Sequence, residues 1–188
     1  MTDQLRNVLR HISDFSDAEL NTIVACFRPG SVKKNMILLR EGQVCKAFYF
    51  IVRGCIRVYF ITKDGQEKTR YIMPDNYLGT ALTSFIAKEK SFEYIEALED
   101  TELLTISHSD FYRLNDQYIS WKVFYQKILE MAYSFQNKKI ESLVTMTAKQ
   151  RYEQLLQSNP GLVQRVSNKV LASYLDMAQE TLSRLKPR

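Results

Sequence analysis

The residues with the clearest chemical capacity lie near the end of the sequence: Gln179, Glu180, Thr181, Ser183, Arg184 and Lys186. On a helix, Leu182 and Leu185 turn to one side and this polar set turns to the other. Gln and Arg side chains can make paired hydrogen bonds to purine edges, and Glu can accept from a cytosine amine. Thr181, close to the helix N-terminus, can hold a phosphate. Together these groups could read the major groove of double-stranded DNA. Ser167 and Lys169, a short way upstream, complete the candidate DNA-contacting set.

A reading helix must be held by a second helix. Ser167 suits an N-cap for NKVLASYL, which places Leu171 and Leu175 on one face, with Ala172 small enough to admit a close neighbour. Asp176, Met177 and Ala178 then make the turn. Two short helices, inward leucines and an outward polar strip predict a helix-turn-helix over about residues 167–186. A generic helical hairpin would show the same leucine spacing. Charge points the same way as the polar strip. Residues 1–136 balance 17 Lys/Arg against 17 Asp/Glu, while residues 137–188 hold nine basic and four acidic residues, so the net charge of +5 sits where a polyanion would dock.

Other chemistries have little to work with. Cys26, Cys45 and Cys55 are odd in number and widely spaced, which fits neither a disulfide framework nor a metal knuckle. His11 and His108 are the only histidines, and there is no nucleophile with a nearby base and no carboxylate dyad in context. No cofactor, metal or enzymatic activity is expected. Neither a signal peptide nor a membrane-length apolar run is present, so the expected location is the cytoplasm.

Upstream, residues 3–26 carry helical spacing. From Phe27 short apolar runs alternate with turns marked by Gly30, Gly42, Gly54, Gly65 and Gly79, with KDG at Lys63 to Gly65 as a hairpin signal. This rhythm predicts a compact antiparallel barrel or sandwich of roughly eight strands. After His108 the pattern turns helical again. Trp121, Phe124, Ile128, Met131 and Phe135 recur at steps of three and four, the spacing of a helix-pair seam, on a helix over about 118–143 that would run roughly 39 Å. The spacing predicts a dimer seam; an ordinary core-facing stripe has the same spacing. Thr147 and Gln150 fit a capping box for the next helix. Two units follow: a sensor body with the long helix over 1–145, and a helical DNA-binding unit over 146–188.

The stretch VSNKVLASYLDMAQETLSRLK resembles the helix-turn-helix of the cyclic-AMP receptor protein and FNR family of transcription regulators, whose reading helix commonly carries an R-E-T-hydrophobic-S/G-R core. Glu180, Thr181, Ser183 and Arg184 match, and Gln179 replaces the first Arg. Asp176 replaces a turn glycine, and the β-wing is missing or reduced to the last few residues. The order of helices, glycine-marked strands, long helix and reading unit extends the resemblance over the chain. It implies an α+β fold, with an antiparallel β-barrel of the jelly-roll, cyclic-nucleotide-binding type, a long dimerisation helix and a helix-turn-helix without a full wing. It also implies that Glu180 and Arg184 touch bases, Gln179 assists and Thr181 contacts phosphate.

In that family a glutamate holds the ribose and an arginine pairs with the cyclic phosphate, a contact that Ser or Thr would not reproduce. Here Thr80 stands in the glutamate's place after Gly79, and Ser91 or Phe92 in the arginine's, with the carboxylate of Glu93 next to it. Cyclic AMP is therefore not the expected ligand, and the effector is unknown. The candidate pocket residues are Gly79, Thr80, Ala81, Leu82 and Tyr94. The expected function is a homodimeric DNA-binding transcription regulator on a near-palindromic operator. Double-stranded DNA, a second copy and RNA polymerase are its expected partners, and no membrane is. The alternative is a ligand-sensing or scaffold module that does not bind DNA.

Overall fold

A computed structural model describes residues 1–186, so the last two residues of the predicted 146–188 unit lie outside the described residues. Two helices open the chain, α1 (Thr2–Ile12) and α2 (Asp17–Ala25), the latter started by a capping box between Ser16 and Glu19. Eight strands follow: β1 (Arg28–Val32), β2 (Ile37–Leu39), β3 (Ala47–Arg53), β4 (Ile56–Ile61), β5 (Glu67–Met73), β6 (Leu78–Gly79), β7 (Tyr94–Ala97) and β8 (Thr101–Ser107). A short helix α3 (Leu82–Ala87) interrupts them. Then come α4 (His108–Gln117), α5 (Ile119–Thr145), α6 (Ala148–Ser158), α7 (Pro160–Arg165), α8 (Asn168–Tyr174) and α9 (Gln179–Leu185).

The strands are all antiparallel but do not close into a barrel. They form two four-stranded sheets, ordered β1-β8-β3-β6 and β2-β7-β4-β5. Between them lie Phe48, Phe50, Ile56, Val58, Ile95 and Leu104, all buried, and α1, α2, α4 and α5 extend the same core. The KDG turn joins β4 to β5 as its sequence predicts: Gly65 takes φ 81°, and Thr62 N–H donates to Gln66 O at 2.9 Å. Gly54, between β3 and β4, has φ 117°, and a Cβ there would come within 2.7 Å of Thr101 Cα, so no side chain fits. Opposite β4, the register of β5 slips at Arg70, a β-bulge that re-aims the side chains around it.

The long helix runs 27 residues, close to the predicted span, but the predicted seam divides. Trp121 and Phe124 are buried in the chain's own core: the Trp121 indole donates to Phe111 O at 3.1 Å, and its ring packs on Phe111 and Phe124. Ile128 packs against the same core, and Phe135 sits 5.3 Å from Tyr71. Met131 and, to a lesser degree, Phe135 are exposed. The three-and-four spacing thus marks a face whose first part, Trp121 and Phe124, is used by the chain's own core, while Met131 and Phe135 further along remain exposed. On the opposite face Ile119, Val123, Tyr133, Ile140 and Val144 are exposed. With Gln126, Glu130 and Asn137 between them they fall at steps of four and three along the whole helix.

A second apolar cluster gathers Tyr152, Leu155, Val163, Val170, Leu171 and Leu182 from the last four helices and rests on Cys55 and Ile72 of the β4–β5 side. Burial pushes the Cys55 thiol up to about 12, with Glu99 reinforcing the shift, so it is an inert packing group.

Candidate nucleic-acid interface and sensor pocket

Helix α8 begins at Ser167, whose hydroxyl accepts from Val170 N–H. It stops because Asp176 takes φ 50°, the left-handed conformation that Asp tolerates and that lets the chain reverse. Arg151 of α6 secures this turn, donating to Leu175 O at 2.9 Å, to Asp176 O at 3.1 Å and to Met146 O at 2.7 Å. Leu171 and Leu182 are fully buried between the two helices, and Leu175 is nearly so. The sequence gives no direct sign of the role of Arg151; a basic residue one turn into a capped helix looks like ordinary solvated charge.

Gln179, Glu180, Ser183 and Arg184 are exposed together on α9, and Thr181 is half-buried. The other three predicted contact residues are engaged inside the molecule. Lys186 Nζ donates to Asn168 Oδ1 at 2.6 Å, Lys169 pairs with Glu67 at 3.1 Å, and the Ser167 hydroxyl is used as the cap. Glu67 also binds buried Arg57 at 2.7 Å, and burial, which raises its pKa, is outweighed by hydrogen bonds from Arg57 and Lys169, leaving the carboxyl below its ordinary value.

Helices α6 to α9 sit on the strands through β5, an edge strand whose outer side lacks a neighbouring strand. Ser173 Oγ accepts from Thr69 N–H at 2.8 Å and donates to Glu67 O at 2.7 Å. Lys68 pairs with Asp176 at 2.6 Å. Arg165 of α7 binds Asp75 at 2.6 Å, Gly54 O at 2.9 Å and Glu99.

The five predicted pocket residues do not converge. Gly79 pairs with Tyr49 across β3–β6, and Ala81 is fully buried. The Thr80 hydroxyl donates to Ala47 O at 2.7 Å and meets Cys45 Sγ at 3.0 Å, so it is spent on structure. Tyr94 stacks on Tyr59 with ring centroids 5.1 Å apart. Leu82 alone of the five lines a cavity of about 220 Å³, with Arg70, Tyr71, Thr83 and Glu93 on one side and Leu129, Ala132, Tyr133 and Gln136 of α5 on the other. Its floor is polar. Buried Glu93 accepts from Arg70 at 2.9 Å, and with the Gln136 amide turned so that its oxygen faces the surrounding donors, that oxygen accepts from Arg70 Nε at 2.7 Å, from Arg70 Nη2 at 2.8 Å and from the Tyr71 hydroxyl. Burial raises the Glu93 carboxyl above its ordinary value, and Arg70 offsets only part of that. Glu93 stands out in the sequence, but its arginine does not, because Arg70 arrives from a strand 23 residues away in sequence.

Residues 29–118 match the family model described as the cyclic nucleotide-binding domain. Among curated proteins, none matches the sequence. Solved structures share the fold over most of the chain. A transcriptional regulator of the crp/fnr family from Eubacterium rectale superposes with TM-score 0.71 at 18% identity, covering 92% of this chain and 82% of that one. FixK2 from Bradyrhizobium japonicum gives TM-score 0.71 at 17% identity over 85% and 82%. The catabolite activator protein of Thermus thermophilus gives 0.61 at 17% over 95% and 84%.

Proposed function

We propose that this chain, with its cyclic nucleotide-binding domain at residues 29–118 and the fold of Crp/Fnr-type regulators, is a homodimeric DNA-binding transcription regulator that does not respond to cyclic AMP. The observation that carries the reading is the strip of Gln179, Glu180, Ser183 and Arg184. It is exposed on a helix that dry leucines and Arg151 hold in place, and its residue types suit base edges. The exposed stripe of α5 supports the dimer, since Tyr133 at 71% and Val144 at 79% exposure are costly to leave in water. A second copy laid along that stripe would place two reading helices about a two-fold axis, matched by a near-palindromic operator with half-sites about 34 Å apart. RNA polymerase is the partner through which such a regulator would act.

Cyclic AMP is rejected on chemistry: the pocket offers a buried carboxylate and an arginine already occupied by it, where an anionic phosphate would need a free cation. Among the described residues no helix is long and apolar enough to cross a membrane. The competing reading, a sensing or scaffold module without DNA binding, draws support from Lys169 and Lys186, both engaged within the chain. Footprinting purified protein on random genomic fragments separates the two: recovery of a palindromic site supports the regulator, and no retardation of any fragment at low salt supports the module.

A further inference from the structure

Lys139 stands where three elements meet. Its ammonium donates to Thr69 O at 3.1 Å and to Arg70 O at 2.9 Å, two carbonyls of β5, and lies 4.3 Å from the centre of the Tyr174 ring on α8. One turn earlier on the same face of α5, Gln136 holds the Arg70 side chain and Tyr71. Arg70 is the bulge residue and the ion-pair partner of Glu93 in the pocket. The contacts thus run without a gap from Glu93 through Arg70 and Gln136 to Lys139 and on to Tyr174.

The packing on either side of this segment is incomplete. The cavity of about 220 Å³ opens beside Gln136 on the pocket side, and another of about 340 Å³, lined by Lys139, Arg151, Leu155 and Tyr174, opens on the reading side. Beside the apolar contact through Cys55 and Ile72, the polar junction at Lys139 adds a second connection between β5 and α8.

We infer that Lys139 is a positioning residue that couples the Arg70–Glu93 pocket to the reading unit, transmitting a change at Glu93 to α8. The inference rests on the proposed regulator only for its purpose; the coupling is a property of the free protein. A local rearrangement at Glu93 moves Arg70, whose carbonyl and side chain are both held from α5, and Lys139 passes that movement to Tyr174. Lys139 is largely buried, and burial lowers its pKa to about 8; Asp176 of the turn opposes the shift and Arg70 of β5 adds to it. The other polar and charged groups nearby are Tyr71, Tyr174, Lys68, which is paired to Asp176, and Arg151, Lys138 and Ser142, which line the same cavity.

The test is hydrogen exchange of the α8 amides in full-length protein without DNA. Glu93→Gln should change protection in α8 about fivefold when Lys139 is present. The same substitution should have a clearly smaller effect on α8 in a Lys139→Met background, where only the Ser173 contacts to β5 remain, and Lys139→Arg, which keeps the cation, should restore it. Gln136→Leu is the second pocket-side variant, expected to behave as Glu93→Gln does, so a poorly folded Glu93→Gln does not end the test. Because the opened state holds the Lys139 proton more tightly, protection in α8, corrected for intrinsic exchange, should rise above about pH 8 in the parent protein and not in Lys139→Arg. An equal response to the pocket variants with and without Lys139, or no response in either, overturns the coupling. A failure to bind any DNA, with the exchange pattern intact, would overturn only the regulator.

Discussion

Arg165 and Asp75, 90 residues apart, meet as an ion pair at 2.6 Å that ties α7 to the loop after β5. Asp75 also accepts from Gly54 N–H at 2.6 Å, and Arg165 donates to Gly54 O, so the glycine that no other residue can replace sits at the centre of the contact. For Asp75, burial raises the pKa, but hydrogen bonds from Arg165 and Gly54 outweigh it and leave the carboxyl below its ordinary value of 3.8. A depressed carboxylate contributes stability that is present above its unfolded value and is lost as pH falls through the folded one. Both side chains are about one-third exposed, which weakens the pair by solvent screening. Arg165→Ala should cost roughly 1–2 kcal/mol in urea unfolding at pH 7. Asp75→Asn should flatten the loss of stability below about pH 4; an unchanged acid limb would remove the pair from the account of docking.

Lys139 makes a prediction of opposite sign. Its folded pKa of about 8 lies below the ordinary 10.5, so the buried charge is a cost, fully present below about pH 8. Above that the unfolded state binds more protons and stability rises with pH, by up to about 1.4 kcal/mol per unit. The window closes near pH 10, because burial raises the Tyr174 hydroxyl to about 12 and unfolded tyrosines begin to ionise first. Urea titrations between about pH 8 and 10 should show the rise in the parent protein, and Lys139→Met should lack it.

Arg184 and Lys169 should behave differently on DNA. Arg184 is exposed among the reading residues, so Arg184→Ala should weaken the operator complex by about 1–3 kcal/mol, relax preference at one base position and leave thermal unfolding unchanged. Lys169 must leave Glu67 before it can touch a phosphate. Lys169→Ala should therefore lower affinity about equally on specific and random duplex and reduce the salt slope by roughly one. Anisotropy titrations on both duplexes at several salt concentrations distinguish them, and an equal loss on random DNA for Arg184→Ala would move it from base reading to phosphate contact.

The pocket predicts silence towards the family's ligand. Millimolar cyclic AMP should not shift the melting temperature, because Thr80 is spent on Ala47 O and Arg70 is spent on Glu93. A ligand present at about 100 times its dissociation constant would add about 2.7 kcal/mol, which calorimetry resolves easily.

Local features were legible in the sequence because short-range physics sets them. The KDG turn, the capping box at Thr147, the cap at Ser167 and the left-handed Asp176 each depend on neighbours within four residues. The inward leucines at 171, 175 and 182 followed from helical period alone. Long-range choices were not legible. A run of short strands cannot say whether two sheets close into a barrel, since closure depends on which edges pair. Arg70 reads as one of several charges on an alternating strand; only the bulge and the approach of Glu93 and Gln136 make it a pocket residue. Helix α7 is equally hidden: Asn159, Pro160 and Gly161 are turn-forming residue types, yet Asn159 caps a short helix with Pro160 in its first turn.

The divided face of α5 makes the sharpest test. Period alone assigns Trp121 and Phe124 to an interface, while burial assigns them to the chain's own core and leaves Ile119, Val123, Tyr133, Ile140 and Val144 exposed, the stripe proposed above for a second copy. Removing the Trp121 ring should destabilise each subunit by about 3–5 kcal/mol, through lost packing against Phe111 and Phe124 and a stranded carbonyl on Phe111. Ile140→Glu and Val144→Glu meet only water in the isolated chain, so the helical signal should be unaffected while a buried charge splits the dimer. Light scattering after gel filtration reads the outcome directly. Monomeric, well-folded Ile140→Glu assigns the stripe to the interface. A dimer that survives both glutamates would place the contact on another surface, and the two-fold placement of α9 would have to be rebuilt from that surface.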